Sequence, residues 1–125
     1  MTRTLRWIMG TAAASLFVAA ALHAGLVIPG RFDDAAMYET SVAAVLLAGC
    51  GLTFVGPTWA RWGGVAATLL ALAGASIGLY MAIRGLAPNT TLDIIYHVGL
   101  VALLLVGVAV AWRIRSERRP LSEGR

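Results

Sequence analysis

The sequence predicts an all-α membrane protein, an up-down-up-down four-helix transmembrane bundle with both termini cytoplasmic. Three observations carry that expectation. Of the 125 residues, 59% are hydrophobic and only 13% charged, with a mean hydropathy of +0.80, whereas a soluble domain carries about 25% charged residues. A chain this short has too little interior to hide so much apolar surface, so the surplus faces lipid. The apolar residues also fall into four runs joined by short connections, with Arg residues gathered at the ends of the runs. The net charge of +4 and the pI of 10.2 therefore report membrane topology, and nucleic acid is excluded as a partner.

The first run, residues 8–28, has His23 as its only ionisable side chain. At ~1.5 Å per residue it is long enough to cross ~30 Å of hydrocarbon. It also exceeds the usual core of a cleavable signal peptide, the competing reading raised by Arg3, Arg6 and the small residues Ala19 to Ala21. The second run, 37–55, is apolar after Glu39 and ends at Gly56 and Pro57; the third, 62–83, has no charge; the fourth, 94–112, holds only His97. The connections are too short to be folded domains, so neighbouring spans are expected to run antiparallel. The chain thus reads as one four-helix domain, 1–112, followed by a basic cytoplasmic tail, 113–125.

Orientation follows from the arginines. Arg3, Arg6, Arg61, Arg113, Arg115, Arg118, Arg119 and Arg125 lie on one side, and only Arg31 and Arg84 on the other, which places both termini in the cytoplasm. Trp7, Trp59, Trp62 and Trp112 mark the inner interface, and Phe32, Tyr38, Tyr80 and Tyr96 the outer one. Every basic residue is Arg and none is Lys, a bias typical of GC-rich bacterial genomes, so the expected location is a bacterial cytoplasmic (inner) membrane, multi-pass. Cys50 lies within an apolar run and reads as a small core residue.

Gly74 and Gly78 form a GxxxG motif flanked by Ala67 and Ala71. It provides a groove for close helix packing, either within the bundle or in a homodimer.

Ionisable side chains inside a membrane are costly and call for a reason. His23, Glu39 and His97 occupy similar depth in the outer third of three different spans, and Asp93 shares a helix face with His97 four residues on. Counting back from Ile28, His23 is expected about 7–8 Å below the outer end of its span. Two imidazoles with one or two carboxylates make a ligand set for a divalent metal. The two histidines alone are the axial pair for haem b, with Arg31 and Arg84 beside its propionates. Structural readings compete: Thr90 to Asp93 has the form of a capping box, Asp33 and Asp34 stand where a helix N-terminus is expected, and Glu39 lies close enough to the interface to reach water. No phosphate loop and no nucleophile elbow is present, and spans two to four lack the buried charges of a continuous ion path.

The segments ALHAGLVIPG, AMYETSVAAVLLAG and GLAPNTTLDIIYHVGL give the chain a resemblance to small four-span bacterial integral membrane proteins of no established activity. That resemblance implies a topology and no catalytic role. The functional expectation is a non-enzymatic accessory or assembly component, working with the bilayer and other membrane subunits, with an outer-side polar cluster that binds a ligand. The alternative is a haem- or metal-binding redox protein using His23 and His97, and the third reading is a minimal proton-coupled transporter acting as an oligomer.

Overall fold

The computed structural model describes residues 1–26, 32–86 and 90–114. These form four helices: α1 (Thr2–His23), α2 (Asp33–Leu52), α3 (Pro57–Ile83) and α4 (Thr91–Trp112). All four are long and apolar enough to cross a membrane. The expected tail from Arg115 onward, Arg31, and Asn89 of the Asn89-Thr90-Thr91 glycosylation sequon lie outside the described residues.

The helices differ from the apolar runs at their ends, and each difference has a local cause. Helix α1 stops at His23 instead of continuing through Ile28. Gly25 adopts φ 74°, its N–H donates to the Leu22 carbonyl at 3.0 Å, and the Leu26 N–H donates to the Ala21 carbonyl at 3.1 Å. This is the paired hydrogen bonding of a Schellman cap, with glycine in the left-handed conformation that side chains resist. The end of α3 repeats it: Gly85 at φ 68° bonds to Ala82, and Leu86 to Met81. Helix α2 begins at Asp33, with Asp33 and Asp34 in its first turn, where negative charge suits the positive end of the helix. Its cap residue, Phe32, makes no side-chain capping bond. Helix α3 begins at Pro57, a position that needs no N–H.

The core consists largely of small residues. Ala12, Ala13, Ala43, Ala60, Ala71 and Ala111 are fully buried, beside the larger Leu5, Met9, Leu46 and Leu104. Lipid tails are as apolar as leucine, so helices in a bilayer gain from close packing of small side chains more than from burying large ones. Near the N-terminal end, a side chain at Gly64 would meet Leu5 Cδ2 at 2.6 Å and Ala111 Cβ at 3.4 Å, so three helices meet there. A side chain at Gly49 would clash with Ala67 and with Met9 Cε. Thr68, fully buried at mid-bundle, satisfies its hydroxyl on the Gly64 carbonyl at 2.6 Å. Leu69, Leu70, Ile77, Leu105 and Val106 face outward.

Candidate functional site

The four ionisable residues singled out in the spans lie together, at the end of the bundle where α1 and α3 finish and α2 and α4 start. His23 Nδ1 is 2.8 Å from Glu39 Oε2. His23 Nε2 faces Asp93 Oδ1 across 4.0 Å, and His97 Nδ1 is 3.5 Å from the same oxygen. Three helices thus contribute one connected set of two imidazoles and two carboxylates. Glu39 is 4% exposed and His97 7%. Glu39 is therefore a buried group that points at His23, and the expected contact with interfacial water is replaced by that pair.

Local structure sets each side chain. The Schellman cap makes His23 the last residue of α1, so its depth cannot be counted back from Ile28. The chain closes over it, with the Phe32 N–H donating to the His23 carbonyl at 2.8 Å and the Phe32 ring meeting the imidazole edge-on at 6.3 Å. At the start of α4, Thr90 Oγ1 accepts the Asp93 N–H at 3.1 Å, the N-capping bond expected of this sequence. The Asp93 carboxylate turns toward the histidines.

His97 Nδ1 lies 2.9 Å from the Asp93 carbonyl. A carbonyl oxygen only accepts, so Nδ1 carries a proton and, in neutral His97, the lone pair is on Nε2. That nitrogen rests on α3: a side chain at Gly78 would come within 2.6 Å of it. Gly78 thus makes room for the imidazole, while Gly74, one turn earlier, packs on Val42 of α2 and offers its carbonyl to the Tyr38 hydroxyl at 3.3 Å. Both glycines of the GxxxG motif are engaged within the chain.

Two participants were not expected from the sequence. Tyr96 meets the His97 ring edge-on at 5.2 Å. Its hydroxyl lies 3.4 Å from Ser15 Oγ, whose own proton goes to the Ala12 carbonyl at 2.9 Å. Residue type alone does not mark Ser15, since only the packing of α1 on α4 brings it to Tyr96.

Haem does not fit this arrangement. Axial ligation by His23 and His97 requires a free nitrogen on each ring aimed at one iron. His97 Nε2 faces the α3 backbone at Gly78, and His23 Nε2 faces Asp93. Arg84, placed beside the propionates in that reading, instead lies over the Tyr80 ring at 5.9 Å. Among the described residues no three His, Cys, Asp or Glu side chains are grouped to hold a metal ion. Among the described residues no Arg pairs with Glu39 or Asp93, and their ion-pair partners are the two histidines.

No protein family, curated protein or solved structure matches the chain. The class defined by the fold is that of a small all-helical protein whose four helices can each cross a membrane.

Proposed function

We propose that this chain is a non-enzymatic accessory or assembly component of a bacterial cytoplasmic membrane, an up-down-up-down bundle with both termini in the cytoplasm. Its outer-side cluster of His23, Glu39, Asp93 and His97 takes a small cation as ligand. The observation that carries this reading is the meeting of two imidazoles and two carboxylates from three helices in spans otherwise almost free of ionisable groups. Such groups are expensive in a bilayer and mark functional positions.

The opening between His23 Nε2 and Asp93 Oδ1 supports a cation in particular. At 4.0 Å it is wider than a hydrogen bond of about 2.7–2.9 Å between charged partners. A cation placed there would have one imidazole nitrogen and one carboxylate oxygen as protein ligands, with Glu39 holding the His23 ring from behind. An orienting carboxylate of that kind is a regular feature around ligating histidines.

Thermal unfolding of the purified protein in detergent tests the reading, with ZnCl2, ethylammonium chloride and NaCl titrated separately. One cation should raise the midpoint saturably, and both His23→Ala and Asp93→Asn should abolish the rise. Three flat titrations would leave the cluster as a tie between helices and end the ligand reading. Topology is tested by an Asp34→Cys variant made in a Cys50→Ser background, which should react with an impermeant maleimide added outside intact cells.

A further inference from the structure

The opposite end of the bundle holds most of the described arginines. Arg3, Arg6, Arg61 and Arg113 lie there, and the described acidic residues, Asp33, Asp34, Glu39 and Asp93, all lie at the other end. Arg6 is well provided for. Its Nε and Nη2 donate to the Thr53 hydroxyl and carbonyl, each at 2.8 Å, and its guanidinium lies 3.6 Å over the Phe54 ring.

Arg61 is not. Its guanidinium lies against a pair of indoles, 5.1 Å from the Trp62 ring centre and 5.4 Å from that of Trp112, and these rings meet edge-on at 6.3 Å. Its Nε is buried and has no hydrogen-bond partner among the described residues. Indole faces attract the positive charge, but they provide no oxygen for the N–H groups. A buried donor of a charged group left without an acceptor is unfavourable, and each such case in a folded protein calls for a missing partner.

Three further features say what kind of partner this is. Arg61 sits in the second turn of α3, whose N-cap is Gly56, with no side-chain capping bond and no acidic residue in the first turn. The positive end of that helix therefore adds to the charge of Arg61. Arg113 follows Trp112 in sequence as the cap residue of α4, so a second arginine belongs to the same end of the bundle. Trp62 and Trp112 are more than half exposed, as tryptophans are at the headgroup level of a bilayer. A planar fork of donors against an aromatic pair at that level matches a phosphate oxyanion.

We propose that Arg61, flanked by Trp62 and Trp112 and assisted by Arg113, binds the phosphate of an anionic phospholipid. Basic pockets between transmembrane helices recognise headgroups in this way. The lipid oxygens take up the outer guanidinium N–H groups, lower the cost of the charge held over the buried Nε, and balance the uncapped start of α3.

The test is native mass spectrometry of the full chain released from micelles containing equal amounts of phosphatidylglycerol and phosphatidylcholine. The wild type should retain phosphatidylglycerol preferentially. Arg61→Ala should reduce that preference by about fivefold, the order of effect of one arginine near an anionic surface. Arg61→Lys should fall between the two, and Arg3→Ala should match the wild type. Equal retention of both lipids, or a preference that survives Arg61→Ala, overturns the proposal. If wild type shows no preference and Glu117→Gln with Glu123→Gln creates one, the tail carboxylates are the partner and the proposal fails. If inorganic phosphate alone raises the unfolding midpoint as much as phosphatidylglycerol does, with the same dependence on Arg61, the site takes free anions and the lipid assignment is lost.

Discussion

At the end of the bundle that holds His23, Glu39, Asp93 and His97, acidic and basic side chains from three helices answer one another. At the opposite end, Arg6 and Arg61 have no described carboxylate beside them and lie instead against Phe54, Trp62 and Trp112. The first arrangement keeps its charges inside the bundle, so α1, α2 and α4 must hold their relative positions to keep them paired. The second leaves charge directed at the surroundings. Ionisable groups thus tie three helices together at one end, whereas at the other Arg6 ties α1 to the end of α2 through Thr53 and Arg61 is left with aromatic faces.

Substitutions can sharpen that contrast, and the largest effect is expected from Gly78→Ala. The new methyl group would lie 2.6 Å from His97 Nε2, forcing the ring away from Asp93 at a cost of about 1–3 kcal/mol, the range for overpacking. Unfolding in mixed micelles should show it, and spectra of the imidazole nitrogens should show His97 displaced. An unchanged spectrum would mean that α3 gives way instead of the ring.

A smaller effect is expected at the His23–Glu39 pair. A double-mutant cycle with His23→Ala and Glu39→Gln should return a coupling of about 0.6–1.7 kcal/mol, the span measured for polar contacts between membrane helices. A coupling near zero would remove α1–α2 fastening from the account.

At the arginine end, Thr53→Val removes one of the two acceptors of Arg6 and should cost about 0.5–1.5 kcal/mol, an ordinary net hydrogen bond. The smallest effect is expected from Arg61→Met in phosphatidylcholine. It removes a donor that has no acceptor among the described residues, so stability should stay within about 0.5 kcal/mol of wild type. In phosphatidylglycerol the same variant should be measurably less stable than wild type. Equal behaviour in both lipids would remove the difference between the two ends.

The number of helices was legible because apolar run length is a one-dimensional quantity, and so was the approximate level of His23, Glu39 and His97. The end of α1 was misread because apolar character continues through Ile28, whereas the helix obeys Gly25. The signal was available in two places: glycine followed by leucine closes both α1 and α3, at Gly25-Leu26 and Gly85-Leu86. Meeting of the four ionisable groups was not legible, since equal depth does not say which way a side chain points around its helix. The same blindness affected Gly74 and Gly78. They lie on one flank of α3, yet the first meets α2 and the second meets α4. The tryptophans were read as interface markers, and the seating of Arg61 against both Trp62 and Trp112 depends on packing between the start of α3 and the end of α4.

The bond from His97 Nδ1 to the Asp93 carbonyl limits how this residue handles protons. A histidine relay takes up a proton on one nitrogen and releases it from the other, or else turns its ring between the two steps. In His97 the first route requires giving up a bond to the residue's own helix, and the second is obstructed by the α3 backbone at Gly78. His97 therefore faces one carboxylate, from the nitrogen already bonded to its own helix, whereas His23 lies between two, Glu39 at 2.8 Å and Asp93 at 4.0 Å.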